Sequence, residues 1–298
     1  MDTRKVKALR ETISAISFIF PALLMYAAFF IYPAANLIRL SLFKWDGLEP
    51  MVFVGAENYI QLFKDSIFWL AFRHNMFWVL GAVFVPVTFG LALAILLTRF
   101  PLHGKILFRT IYFLPQVLSS ITVAIIWGWI YNPVYGALNQ TLRMIGLDFL
   151  AHGWLGDRNF ALPALFIAWS WIHYGFTMVI FIAALEGIDE VYFDAAKIDG
   201  ANKFQQFRHI LIPFIKRQLT TIIVITTIFS FQVFDLVYVL TNGGPNRASL
   251  VTPLYMLSSA FRYYKVGYGS AIAVALGVFI LVLSVILMKL RNANKEAS

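Results

Sequence analysis

The 298-residue chain contains no cysteine, and only 13% of its residues are charged. Without cysteine the chain can form no disulfide bond, thiolate metal site or cysteine nucleophile. A soluble globular domain carries about 25% charged residues, whereas this chain is 60% hydrophobic and 17% aromatic, with a mean hydropathy of +0.75. The composition therefore indicates an integral membrane protein.

Apolar runs near or above the ~20 residues that cross a bilayer occur six times. Long apolar runs form helices in lipid, because each span must satisfy its own backbone hydrogen bonds. We predict an all-α, polytopic membrane helix bundle that forms one domain over 1–298, with a six-helix core at 14–288. The first run lacks a small-residue cleavage site, so we expect it to remain as a span. The predicted spans are 14–38, 75–98, 111–131, 160–185, 219–240 and 268–288.

The formal net charge of +9 has its simplest explanation in membrane topology. With six spans both termini share one side of the membrane, and that side holds most of the lysine and arginine residues. Since these residues mark the cytoplasmic side, we expect cytoplasmic tails at 1–13 and 289–298 and a cytoplasmic segment at 186–217. We expect no nucleic-acid partner.

The cytoplasmic segment has the capping residues of two helices joined by a sharp turn. Asp189 is placed to cap the first helix, and Gly200 can close it in a left-handed conformation. Asn202 and Gln205 have the spacing of a capping box for a second helix, which we expect Pro213 to limit. Such a pair can dock in a groove of a partner protein, or it can lie on the membrane as an amphipathic connector.

Several motifs resemble those of one transporter family. The cytoplasmic segment resembles the EAA loop of ABC importer permeases, although Asp194 replaces the usual Glu and Ile212 replaces the Leu of Leu-Pro. Other motifs, spread over nearly the whole chain, resemble the carbohydrate-uptake (MalF/UgpA-type) branch. The quoted motifs are Asp194-Ala195-Ala196, Asp199-Gly200-Ala201, Ile212-Pro213, Phe53-Val54-Gly55, Glu57-Asn58-Tyr59, Phe108 to Pro115, Tyr131-Asn132-Pro133 and Thr241 to Pro245.

The resemblance implies a type I importer permease in the inner membrane of a bacterial or archaeal cell. Its expected partners are a second (MalG/UgpE-like) permease subunit, two ATPase subunits, an extracytoplasmic solute-binding protein, membrane lipid and a sugar. ATP and Mg²⁺ would bind to the ATPases, since the Gly104-Lys105 pair lacks the other residues of a phosphate loop. The expected ATPase-coupling residues are Asp194, Ala195, Ala196, Asp199, Gly200, Ala201 and Phe204.

Polar groups inside spans are costly and therefore candidates for a solute path. A sugar needs hydrogen-bonding partners for its hydroxyls and aromatic faces for its C–H surface. The fourth and fifth spans supply both, at positions where similar permeases line the sugar site. The candidates are His173, Tyr174, Phe176, Thr226, Phe229, Ser230, Gln232 and Asp235.

Each candidate has a structural alternative. Thr226 and Ser230 can bond their own helix or a neighbouring one. His173 and the phenylalanines can be packing residues, and Asp235 can pair with an arginine or cap the following turn. We predict no catalytic set and no metal site. A secondary transporter and a membrane-embedded enzyme are the competing functions, and the sequence does not identify the sugar.

Overall fold

The computed structural model describes the backbone of residues 16–296 and the side chains up to residue 289. The predicted tail 1–13, residues 14–15 of the first predicted span and residues 297–298 lie outside the described residues. The described residues divide into two compact units, one formed by 16–64 with 256–275 and the other by 65–255 with 276–296. We call them the small unit and the large unit.

The described residues are mainly helical. We number the elements in chain order and include short π-helical turns in the helix that contains them. The elements are α1 (Ile16–Leu40), β1 (Phe43–Lys44), β2 (Val52–Phe53), α2 (Glu57–Lys64), α3 (Ser66–Arg99), α4 (Lys105–Val117), α5 (Ser120–Ile130), α6 (Ala137–Met144), α7 (Ala161–Glu186), α8 (Glu190–Ile198), α9 (Lys203–Gln206, Phe207–Leu211 and Ile212–Phe231), α10 (Asp235–Leu240), α11 (Thr252–Leu257 and Ser258–Arg262) and α12 (Val266–Glu296).

The all-α prediction is confirmed. Five helical stretches between residues 16 and 296 are long and apolar enough to cross a membrane, and a bent pair makes a sixth if it counts as one span. The helix of the second predicted span, α3, begins at Ser66, nine residues before the predicted start of that span. It begins there because the Asp65 carboxylate accepts a hydrogen bond from the Ile67 amide at 2.8 Å, which caps the helix.

The prediction that the third span, 111–131, is one continuous helix was wrong. It consists of α4 and α5, whose axes are bent by 101° at a short break. Pro115 lies in the last turn of α4 and has no N–H to donate to the carbonyl four residues back, which weakens this turn. Ser119 then starts a new helix, because its hydroxyl accepts a hydrogen bond from the Thr122 amide at 3.2 Å.

The fifth predicted span also differs from the structure at both ends. The second predicted helix of segment 186–217 does not end at Pro213 but continues through it as α9. A π-helical turn immediately precedes the proline, and the Ile212 amide bonds the Phe207 carbonyl five residues back, which widens the backbone where the ring needs room. The span is then interrupted at 232–234, before α10 begins at Asp235.

The core of the large unit lies between α3 and α7 and extends to α8 and α9. Two glycines permit close helix contacts there. A β-carbon at Gly90 would clash with Thr177, and one at Gly175 would clash with the Tyr112 carbonyl of α4. The buried apolar cluster contains Val87, Leu93, Ala94, Leu97, Met178, Phe181, Ile182, Leu185, Ile188, Phe193, Leu211, Ile215 and Ile222.

The small unit is held together by backbone contacts around its two-stranded antiparallel sheet. The side-chain amide of Asn58 donates hydrogen bonds from Nδ2 to the backbone carbonyls of Ser41 and Phe43 at 2.8 and 3.0 Å. At the start of α12 the Gly267 amide donates to the Trp45 carbonyl, and a β-carbon at Gly267 would clash with the Phe43 carbonyl. The motif Glu57-Asn58-Tyr59 therefore has a structural role in this unit.

Candidate functional site

Two interrupted helices of the large unit meet at one cavity of about 220 Å³. Gln116 and Ser120, one on each side of the α4–α5 break, line the cavity. All three residues of the α9–α10 break, 232–234, also line it. Non-helical backbone at membrane depth is tolerated where protein buries it or where it lines a cavity, and broken helices of this kind form solute sites in transporters. The lining residues are Gln116, Ser120, Trp169, Ile172, His173, Phe229, Gln232, Val233, Phe234, Asp235 and Leu236.

The aromatic wall of the cavity is built around His173. Its ring stacks on Trp169 with 3.9 Å between the centroids, and the Phe229 ring lies edge-on at 5.8 Å. The Nδ1 atom of His173 lies 2.9 Å from the Trp169 carbonyl oxygen. Since a carbonyl only accepts, Nδ1 carries the proton, and Nε2 of the neutral ring is an acceptor. Phe176 does not line the cavity but supports the wall, 6.0 Å from Phe229.

The polar part of the cavity comes from both interruptions. Gln232 and Asp235 are exposed on the α9–α10 side, and Gln116 faces them from α4. The Oε1 atom of Gln116 is buried and has no hydrogen-bond partner among the described residues. A buried acceptor without a partner costs about 1–3 kcal/mol. A ligand hydroxyl that donates to Gln116 would remove this cost.

Besides Phe176, three other predicted path residues do not line the cavity. Tyr174 packs edge-on against Phe89 and Tyr112, with centroids 5.5 and 6.4 Å away. Thr226 and Ser230 are buried, and the Ser230 hydroxyl donates to the Thr226 carbonyl at 2.8 Å. The helix-bonding alternative for Ser230 is therefore what the structure shows.

Sequence reasoning did not select Gln116, Ser120 or Trp169. A signal for the first two was present, because Pro115-Gln116 and Ser119-Ser120 interrupt an otherwise apolar run. Trp169 gave no such signal, since a tryptophan in a span is usual.

The predicted helix caps of segment 186–217 are confirmed. The Asp189 carboxylate accepts from the Val191 amide at 3.0 Å, and Gly200 adopts φ +78°. Asn202 and Gln205 form the reciprocal capping box, with bonds of 2.8 and 2.9 Å. The result is a fixed bend between α8 and α9.

The bend opens into a shallow groove of about 320 Å³. Four of the predicted coupling residues line it, and a β-carbon at Gly200 would meet no atom within 4 Å. Beside the groove, Ile198 is 87% exposed and Phe204 is 67% exposed. Sequence reasoning missed Ile198, which has the same exposed apolar character as Phe204. The groove is lined by Ala196, Asp199, Gly200, Ala201, Gln205, Gln206, His209 and Ile210.

The remaining coupling residues lie on the outer face of α8. Asp194 forms an exposed ion pair with Lys197 at 2.8 Å, and Ala195 is exposed beside it. The opposite face of α8 is anchored by Phe193, which is buried beneath the Arg99 guanidinium at 4.0 Å. Phe193 therefore fixes α8 to the end of α3, and the polar face of α8 remains accessible.

Known proteins share this chain's sequence and fold. Residues 86–293 match the family described as binding-protein-dependent transport system inner membrane component. A probable ABC transporter permease of Bacillus subtilis, YurN, is 37% identical over 94% of this chain and 96% of its own length. The lactose transport system permease LacF of Rhizobium radiobacter is 32% identical over 90% of each chain.

The fold has a close counterpart among solved structures. One chain of a bacterial ABC transporter involved in the import of the acidic polysaccharide alginate superposes with a TM-score of 0.85. The match covers 97% of this chain and 99% of that chain at 20% sequence identity. At this identity the likeness establishes the fold.

Proposed function

Since the chain belongs to the family of inner membrane components of binding-protein-dependent transport systems, we propose that it forms half of the path by which a sugar or sugar-derived solute crosses the membrane. Members of the family are permease subunits of ABC importers and not enzymes. The other half of the path would come from a second permease subunit. An extracytoplasmic binding protein would deliver the solute, and two separate ATPase subunits would hydrolyse ATP.

The cavity between the two interrupted helices carries the substrate proposal. It combines the aromatic faces of Trp169 and Phe229 with hydrogen-bonding groups from Gln116, Gln232 and Asp235, which is the chemistry that a sugar ring requires. Curated relatives include permeases for lactose and for starch degradation products. Phe176 belongs to the proposed site as a support for Phe229.

The groove at Gly200 is the proposed contact with an ATPase. It is open, three of its lining residues are small (Ala196, Gly200 and Ala201), and exposed Ile198 and Phe204 lie beside it, a surface that suits insertion into a cleft. ATP and Mg²⁺ would be bound by the ATPases. If the ATPases shift the permease from 1:99 to 99:1 between two conformations, they must favour one by about 5.5 kcal/mol.

The proposed orientation has both termini and the Gly200 groove in the cytoplasm, as the distribution of lysine and arginine indicates. The natural chain has no cysteine, so one introduced cysteine can be labelled without background. In intact cells an impermeant maleimide should leave Lys216→Cys unlabelled, and opening the membrane should allow labelling, because Lys216 is exposed and does not line the groove. Labelling in intact cells would overturn the orientation.

The substrate proposal is tested by uptake of a panel of radiolabelled sugars into cells that carry the complete importer. Gln116→Ala should raise the concentration for half-maximal uptake of the transported sugar about two- to tenfold, because it removes one neutral hydrogen bond. Gln218→Ala is the matched control, since Gln218 also has a buried Oε1 without a partner among the described residues but does not line the cavity. Equal effects of the two variants, or no uptake of any sugar by the unmodified importer, would contradict the proposal.

A further inference from the structure

A second cavity of the large unit, of about 330 Å³, lies between the end of α3 and the α8–α9 bend. It shares no lining residue with the solute cavity and only Gln206 with the groove at Gly200. Its floor is apolar, and its rim carries both signs of charge. It is lined by Ile95, Thr98, Arg99, Phe100, Glu190, Phe193, Asp194, Lys197, Lys203, Gln206, Phe207 and Leu211.

Two cations of the rim are held in place by neighbouring rings. The Arg99 guanidinium lies 4.0 Å above Phe193, and one of its nitrogens donates to the Leu185 carbonyl at 3.2 Å. The Lys203 ammonium lies 5.4 Å from the Phe100 ring. Contacts of this kind limit the rotamers of both side chains, so the two charges remain directed toward one cavity.

The charges of the rim do not cancel. Asp194 is paired with Lys197 at 2.8 Å, which leaves Arg99 and Lys203 opposite the single carboxylate of Glu190. The Nε atom of Arg99 is also buried without a hydrogen-bond partner in the part of the chain that the structure describes. A guanidinium has five N–H donors and binds oxyanions through parallel, charge-assisted bonds, and the Leu185 carbonyl accepts from only one of its nitrogens.

The position of the two cations suggests what the anion is attached to. Arg99 ends a helix long enough to span the membrane and directly follows the predicted span 75–98, so it lies where that span meets the headgroup layer, and Lys203 lines the same cavity. Basic pockets between helices at this depth bind phospholipid headgroups. The apolar floor formed by Ile95, Phe207 and Leu211 can receive the first part of an acyl chain.

We propose that this cavity binds a phosphate group through Arg99 and Lys203, and that its source is the headgroup of a membrane phospholipid. Since Phe193, Asp194 and Lys197 of α8 form one wall, the bound lipid would brace α8 against the end of α3. The site does not depend on which solute is carried.

The test is native mass spectrometry of the full-length purified chain in mild detergent. The probes are phosphatidylglycerol, a diacylglycerol with the same acyl chains but no phosphate, and inorganic phosphate. We expect one phosphatidylglycerol to be retained at collision energies that remove diacylglycerol. Arg99→Gln with Lys203→Gln should lower that retention about tenfold or more, because two charge-assisted bonds are lost.

The matched control is Arg208→Gln with Lys216→Gln, which removes the same charge from exposed positions of α9 that do not line the cavity. Lys203→Gln alone, at an exposed position, should lower retention several-fold without disturbing the core. Displacement of the lipid by millimolar inorganic phosphate would identify free phosphate as a competing source. Equal retention of phosphatidylglycerol by the double variant and its control, or equal retention of the phosphate-free lipid, would overturn the proposal.

Discussion

Substitutions at Gly200 separate two explanations of the α8–α9 bend. A β-carbon there would meet no atom within 4 Å, so the cost within the described chain comes only from the left-handed backbone at φ +78°. That cost is about 1–2 kcal/mol for alanine and smaller for asparagine, which tolerates this conformation. Backbone strain therefore predicts that Gly200→Ala is worse than Gly200→Asn.

Docking to a partner predicts the opposite order. In that case the size of the side chain in the groove decides the effect, and Gly200→Asn and Gly200→Asp should both be worse than Gly200→Ala. We expect the alanine variant to show the larger loss of thermal stability. We expect the asparagine and aspartate variants to show the larger loss of solute-stimulated ATP hydrolysis by the reconstituted importer, with membrane insertion intact in all three.

Gly146 provides the matched control. It has φ +76° and no atom within 4 Å of an added β-carbon, and it lies between the third and fourth predicted spans, on the side of the membrane opposite to the proposed side of Gly200. Gly146→Asn and Gly146→Ala should reproduce the backbone cost without the loss of ATP hydrolysis. The docking argument fails if the activities of the Gly200 variants follow the order of backbone strain, or if the Gly146 variants lose as much activity.

Substitutions at three further positions test the large unit. Phe229→Ala should reduce solute uptake several-fold and leave the amount of assembled complex unchanged, because the ring lines the cavity at its edge. Asn75→Ala should lower the free energy of unfolding by about 1–3 kcal/mol, since the buried amide bonds the Ser230 carbonyl at 3.2 Å and the Thr252 amide at 2.8 Å. Ser119→Ala should cost about 1 kcal/mol by loss of the α5 cap, and Ser119→Asp should retain the cap; thermal unfolding in detergent measures both.

Each of these predictions has a result that would contradict it. Loss of assembled complex in parallel with uptake would make Phe229 a packing residue. An unchanged unfolding midpoint for Asn75→Ala would mean that the two buried bonds contribute nothing net. Equal stability of the alanine and aspartate variants at Ser119 would show that the break does not depend on a side-chain cap.

Local chemistry explains which parts of the fold were predictable. The fourth span and the caps at Asp189, Gly200 and Asn202 follow from hydropathy and from hydrogen bonds between near neighbours, and both are visible in sequence. The breaks after Val117 and Phe231 were not predicted, because hydropathy remains high across them. The Ser119 cap is a local signal for the first break, whereas no side-chain cap marks the start of α10 after the second. The position of the second break therefore depends on the helices that pack around it.

The face of α9 on which each residue lies explains why some candidate path residues line the cavity and others do not. Thr226 and Ser230 are four residues apart and share one face of α9, which is buried and receives the Asn75 bond from α3. Phe229 lies on another face and lines the cavity together with Gln232. Sequence alone gives the spacing of these residues but not the face of α9 that meets α3, so it could not separate the two groups.

The connectivity of the large unit gives the proposed coupling a physical route. The helix that carries His173 ends at Glu186, thirteen residues later and so about 20 Å along the axis, and it leads directly into α8. Glu186 is paired with Arg109 of α4, the helix that carries Gln116 into the cavity.

The chain leaves the bend as α9, which carries Phe229. In the proposed importer, a displacement of the bend would therefore act on three helices that line the cavity. Two of these helices end at an interruption beside the solute. The interruptions can absorb a rotation that continuous helices would resist, which accounts for their position at the cavity and not at the membrane surface.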